Sequence, residues 1–192
     1  MLMLSCIVAA AGNPPSKRLT FGMEWGYSAA FHYGKHYNFF APDGYRVIEQ
    51  ENHFTFMSNA EVSIHVGCNL REDMNLSLYA GYAGIGNYHH GIPLSLRFTK
   101  YWEENAKMDR WLTFIDLGSG ISLKSPVREI LRCKLGGGYR ISLSKDVKLD
   151  FLVSLQTTYT HPEIIYADMA IDRVNRNNAY VSALSLGVGL DF

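Results

Sequence analysis

The sequence predicts an all-β protein, an eight-stranded antiparallel up-and-down transmembrane β-barrel. Three observations carry that expectation. Apolar and polar residues alternate with a period of two in eight separate stretches, the mark of strands with two unlike faces. The connections between the stretches alternate between short and long. Finally, 47% of the 192 residues are apolar and 19% charged, below the quarter or so usual in soluble domains, yet no run of about eighteen apolar residues could form a membrane helix. Membrane strands escape that test, because their lipid-facing residues alternate with lumen-facing ones. The formal net charge is zero with no basic block, so a nucleic-acid partner has no electrostatic footprint.

Met1 to Ala11 are nearly all apolar and run into Ala9-Ala10-Ala11-Gly12. That is the apolar core and small-residue cleavage site of a secretory signal. Residues 1-12 are read as a signal peptide whose positively charged start is missing, and Cys6 is expected to leave with it. The barrel is read as 17-192.

The first strand follows Pro14-Pro15, with Leu19, Phe21, Met23, Trp25, Tyr27, Ala29 and Phe31 on one face and Glu24, Gly26 and Ser28 on the other. Phe54, Phe56, Ala60, Val62, Ile64 and Val66 mark the second, opposite Glu61, Ser63 and His65. Leu76, Leu78, Ala80 and Tyr82 mark the third. Ile92, Leu94, Leu96 and Phe98 form the fourth, with Arg97 opposite. In the fifth, Trp111, Ile115 and Leu117 oppose Asp116. Leu135, Tyr139 and Ile141 give the sixth, opposite Gly136, Gly138 and Arg140. The seventh has Leu149, Phe151, Val153 and Leu155, opposite Lys148, Asp150 and Ser154. The eighth is Leu184, Leu186, Val188, Leu190 and Phe192, opposite Ser185, Gly187, Gly189 and Asp191.

Short polar connections fall at 71–74, 103–109 and 144–146, and longer ones at 34–51, 84–91, 124–132 and 161–178. Short turns at one end and long loops at the other suggest that the short end, with both termini, is periplasmic. Strands of about ten to twelve residues tilted by ~40° rise some 26–31 Å, enough for the ~25 Å apolar band. Aromatics gather at both expected interfaces: Phe21, Tyr101, Trp102, Trp111 and Phe192 at one end, and Phe31, Tyr33, Phe54, Tyr82, Tyr159 and Tyr180 at the other.

From about Lys17 to Phe192 the chain resembles the small eight-stranded outer-membrane barrels, the OmpA/OmpX-like group, including the porin-like barrels common in Bacteroides-type bacteria. The alternation, the turn rhythm and the ending Leu184-Ser185-Leu186-Gly187-Val188-Gly189-Leu190-Asp191-Phe192 carry the resemblance. It implies residence in the outer membrane of a Gram-negative bacterium. It also implies insertion by the outer-membrane assembly machinery, which would read Leu184, Leu186, Val188, Leu190 and Phe192. Outer-membrane lipid and lipopolysaccharide are the implied surroundings, and no activity follows from the fold.

The inward positions hold Glu24, Glu61, Arg97, Asp116, Arg140, Lys148 and Asp150. Eight strands leave an interior just wide enough for side chains to fill, so these are expected to form a paired plug; a narrow pore for small solutes is the alternative. Glu61, Ser63 and His65 invite a lipid-modifying hydrolase, but i and i+2 on a strand stand about 6.8 Å apart and no nucleophile elbow is present. No catalytic residue is assigned. His32, His36, His53, His89, His90 and His161 crowd the long-loop end without a recognised metal spacing, so neither metal nor cofactor is expected. Phe39, Phe40, Ile164, Ile165 and Tyr166 lie in the long loops, where they either contact an envelope or extracellular protein or fold over the barrel mouth. A soluble lipocalin-type carrier is the rival fold; the aromatic girdles and the charge-bearing opposite face argue for the membrane.

Overall fold

The structure, a computed structural model, describes residues 18–84, 90–102, 109–123, 127–162, 164–166, 169–171 and 174–192. The expected signal peptide at 1-12 and His89 lie outside them. Eight strands close one barrel: β1 (Leu19–Phe40), β2 (Arg46–Arg71), β3 (Met74–Gly84), β4 (His90–Tyr101), β5 (Arg110–Ser122), β6 (Val127–Ser142), β7 (Lys148–Pro162) and β10 (Val174–Asp191). Each pairs antiparallel with its sequence neighbour, and β10 returns to β1 with Gly22 opposite Asp191. Between β7 and β10, β8 (Ile165–Tyr166) and β9 (Met169–Ala170) form a small hairpin of their own.

The barrel is inside out. Ile64 is 64% exposed on the outer wall while Asp116, facing inward, is 0% exposed. Only hydrocarbon solvates such a wall without loss, and the strand ladders close the backbone hydrogen bonds that hydrocarbon cannot satisfy. Inside, Tyr101 joins Leu112, Phe114 and Leu152 in the one apolar cluster among the described residues; it was expected in the outer girdle, but it shares the inward phase of Arg97 and Thr99 on β4. Gly136 and Gly138 on β6 create its room. A Cβ on Gly136 would lie 2.6 Å from the Phe114 ring, and one on Gly138 would lie 2.9 Å from Leu152 Cδ2.

Three expectations about the connections are corrected. The stretch 34–51 is a continuation of β1 and β2, closed by Ala41-Pro42-Asp43-Gly44-Tyr45. Proline pre-sets the first turn position and Gly44 takes the left-handed φ of 86° that closes the turn, with Gly44 N–H donating to Ala41 O at 2.9 Å. The stretch 124–132 is mostly strand, since β6 starts at Val127. The stretch 161–178 holds the β8–β9 hairpin and the start of β10. At the opposite end, which carries Leu19 and Asp191 and is called the terminal end below, Ser144 Oγ accepts from Asp146 and Val147 N–H and fixes the turn before β7.

The strands differ greatly in height. β3 has 11 residues and β2 has 26. β2 pairs with β3 only from Glu61 to Arg71, but with β1 all the way to Arg46. A three-stranded wall of β10, β1 and β2 therefore rises beyond the ring at the far end. The edge of β2 from Arg46 to Ala60 has no ladder partner there among the described residues. A bulge at Phe31, between the pairs of Ala30 and His32 with β10, inserts one residue relative to β10 and reverses the phase of β1 above it, and the pairing with β2 shifts at the same place. Tyr33, expected on the outer wall, consequently shares the inner face with Lys35, Tyr37 and Phe39.

Candidate functional site

Two regions could act: the charged lumen and the tall far wall. In the lumen, buried acids Glu24, Glu61, Asp116, Asp150 and Asp191 meet buried bases Arg97, Arg110, Arg132, Lys134 and Arg140. Every ring strand except β3 delivers a member by the two-residue alternation, β3 supplying the uncharged Tyr79 instead, and the ring brings distant strands together.

Nearest the terminal end, Arg140 grips Asp150 with two hydrogen bonds, Nε at 2.7 Å and Nη2 at 2.6 Å, and also pairs with Asp191. The other Asp191 oxygen meets His65 Nε2 at 2.6 Å, and the His65 ring stacks on Tyr79 at 4.5 Å. Arg110 lies over the Tyr101 ring at 3.8 Å and donates to Glu72 O at 2.9 Å. Midway, Arg97 donates to both Glu24 oxygens, at 2.5 and 3.2 Å, to Asp116 at 3.1 Å and to the Tyr79 hydroxyl at 3.1 Å. Its guanidinium is sandwiched by Tyr79 and Phe114, at 4.0 and 4.4 Å from the ring centres. Farther up, Glu61 on β2 reaches across to β6, taking Lys134 at 2.9 and 3.0 Å and Arg132 at 3.0 Å.

An unpaired ion here would cost several kcal/mol, and the pairing removes that cost, between neighbouring strands for Arg140 with Asp150 and Arg97 with Asp116, and across the lumen for Arg97 with Glu24 and Lys134 with Glu61. The residual cavity between His65, Tyr79, Arg97, Tyr101, Arg140 and Asp191 is about 10 Å³, close to the least that holds a single water.

Of the charges expected inside, the structure places Glu24, Glu61, Arg97, Asp116, Arg140 and Asp150 in this network. Lys148 is corrected: it stands on the last rung before the turn, bonding Ser142 Oγ at 3.1 Å and Ser144 O at 3.2 Å. Arg110, Arg132, Lys134, His65 and Asp191 are members that the sequence reading left out. The alternation of Leu131, Cys133 and Leu135 with Arg132 and Lys134 was the available signal for two of them. Glu61 and His65 are held by partners on β6 and β10, so they do not form a relay on Ser63.

The far wall has two unlike faces. On its inner face Lys35 joins Glu49 at 2.6 Å and Glu51 at 3.2 Å. Burial draws the Lys35 pKa down, but hydrogen bonds to Glu49 and Glu51 outweigh it and leave the ammonium above its ordinary value. Burial pushes the Tyr37 hydroxyl well up. Of the two expectations for the loop residues, contact with a partner or folding over the barrel mouth, Phe39 and Ile164 do not fit the first, being buried at 1% and 5% exposure. The tight turn folds Phe39 inward, where its ring meets Tyr166 at 5.6 Å, and Tyr166 shares a hydroxyl hydrogen bond with Tyr45. Phe40 remains exposed, and the side chain of Ile165 lies outside the described residues. On the outer face His32 packs between Phe54 and Tyr180, at 6.0 and 5.4 Å, and the Tyr180 hydroxyl donates to Asn52 at 2.7 Å across Gly34. Phe54 and Phe56 stand 86% and 80% exposed.

Among the described residues no group of three or more His, Cys, Asp or Glu is placed to hold a metal ion. Cys68 on β2 and Cys133 on β6 sit on opposite sides of the ring.

No protein-family model matches the chain, and no curated protein is similar to it in sequence. Solved structures do resemble it. The outer membrane protein OprG from Pseudomonas aeruginosa superimposes with a TM-score of 0.58 at 10% identity, over 93% of this chain and 98% of that one. Neisserial surface protein A gives 0.47 at 12% identity, over 90% and 97%. The N-terminal β-barrel domain of Pseudomonas aeruginosa OprF gives 0.43 at 17%, over 88% and 97%. The fold is that of the small eight-stranded outer-membrane barrels, as the OmpA/OmpX-like resemblance implied. These neighbours lend no support to the Bacteroides-type origin.

Proposed function

We propose that this protein sits in the outer membrane of a Gram-negative bacterium, both termini periplasmic, as a non-enzymatic binding barrel with a closed lumen. Its tall wall takes an extended segment of an envelope or extracellular protein along the open edge of β2. The observation that carries this is the edge itself. From Arg46 to Ala60 one side of β2 lacks a ladder partner among the described residues, beside the exposed Phe54 and Phe56. Unpaired strand edges template the addition of another strand, main-chain hydrogen bonds giving affinity and alternate side chains specificity. The ion-paired lumen favours this reading over a narrow pore, because the charged groups that would line a path are engaged with one another.

Lipopolysaccharide would surround the outer half of the wall, and the assembly machinery would read Leu184, Leu186, Val188, Leu190 and Phe192. The test is a photoreactive amino acid placed at Phe54 or Phe56 in intact cells, with Leu94 on the lipid-facing wall as control. Protein adducts at 54 and 56 but not at 94, abolished by Thr55→Pro, are expected. Absence of protein adducts at both wall positions contradicts the reading. The membrane assignment is checked separately by a band of the detergent-extracted protein that shifts on boiling.

A further inference from the structure

The outer wall is not evenly filled. On the side made by β5, β6, β7, β10 and β1 a hollow of about 660 Å³ opens outward, within the size range of small-molecule sites. Trp25 and Tyr27 wall it on one side and Trp111 and Tyr139 on the other, over Val153 and Leu186. The strand register explains the shape. One row across the strands runs Trp25, Val188, Phe151, Tyr139 and Trp111, each opposite the next. The row above runs Tyr27, Leu186, Val153, Gly137 and Thr113. Bulky rings thus stand beside an outward position with no side chain, and the Trp111 and Tyr139 rings brace each other edge to face at 5.0 Å.

We propose that this hollow is a site for one acyl chain of a phospholipid. The proposal rests on the membrane reading above. The hollow is continuous with the lipid-facing wall, so hydrocarbon is what reaches it. It lies in the half of the barrel nearest the terminal end, a few rungs from the Phe21–Phe192 stack at that rim. No charged residue lines it, which suits a plain acyl chain and offers nothing to the phosphorylated sugar of a lipid A. Rings on both sides confine the chain laterally, and an aliphatic floor gives it dispersion contacts along its length.

The test uses the full chain in phosphatidylglycerol–phosphatidylethanolamine vesicles containing a phospholipid with a photoreactive acyl chain. Adducts are mapped by peptide mass spectrometry. Labelling around Trp25–Tyr27, Val153 and Leu186 is expected several-fold above that at Ile64 and Leu96 on the opposite wall. Val153→Trp, which fills the hollow, should bring it down to the level of the opposite wall, whereas Ile64→Trp should leave it unchanged. Even labelling around the barrel overturns the site. So does stronger labelling by a lipid A probe, or cross-links between two copies through the hollow. The boiling shift, run on the same sample, separates the failures: a retained shift with even labelling removes the site alone, and loss of the shift removes the membrane reading and the site with it.

Discussion

The lower lumen and the tall far wall grow from the same strands by the same alternation, yet they become opposite kinds of surface. Below Ala60 every strand has two neighbours, and the polar face is sealed inside the ring, where Arg97, Arg140 and Lys134 find carboxylates on other strands. Above Ala60, β2 keeps only β1 among the described residues, and Phe54 and Phe56 stand in the open. Closure makes the difference. A charge inside the ring has to be paired, whereas a group above it can be left for a partner. The ring is therefore where the paired charges hold the fold together, and the wall is where we propose that recognition takes place.

The largest blow to this contrast is Arg97→Ala. It strands Glu24 and Asp116 together in the lumen and should cost ~3–5 kcal/mol, the usual loss when one member of a buried pair is removed. Urea unfolding of the protein in vesicles measures it, and a loss under ~1 kcal/mol would mean the lumen is wet rather than paired. Next comes Asp191→Asn, which weakens the links to Arg140 and His65 while Asp150 still holds Arg140. The expected cost is ~1.5–3 kcal/mol, read on refolded protein so that assembly in the cell does not confuse the result.

On the wall, Phe54→Ala with Phe56→Ala should move stability by no more than ~0.5 kcal/mol, as exposed positions do, while removing contact with a partner. A large stability loss would show that the wall is part of the core after all. The smallest effect concerns Asp73, at the terminal-end turn. Its hydrogen bond with Lys100 holds its pKa below the ordinary carboxylate value. Its stabilisation is therefore present above the unfolded value of about 3.9 and fades as pH falls through the lower folded value. Asp73→Asn should remove that acid-side dependence at a cost under ~1 kcal/mol near neutral pH.

Much of the ring was legible in the sequence because lipid and lumen demand unlike residues at every second position. A one-residue slip would have put Glu61 and His65 into hydrocarbon, so the pattern fixes which face is which. The height of the wall was harder to read. Pro42-Asp43-Gly44 is a strong turn signal, but Lys35 to Asn38 and Glu49 to His53 do not alternate clearly between apolar and polar, and so looked like loop. The bulge at Phe31 leaves no local mark, which is why Tyr33 was placed on the wrong face. Pairs such as His65 with Asp191, or Glu61 with Lys134, depend on how the ring closes rather than on spacing along the chain. Phe39 and Ile164 could be recognised as apolar loop residues, but not as neighbours of a β8–β9 hairpin.

The most direct test of the account is residue-resolved hydrogen exchange of β2 in lipid nanodiscs. Amides from Glu61 to Asn69 should be strongly protected, and from Arg46 to Ala60 every second amide, the ones aimed at the open edge, should exchange rapidly. Uniform protection along all of β2 would mean that the edge is already covered, and the wall would lose its claim to be the binding surface.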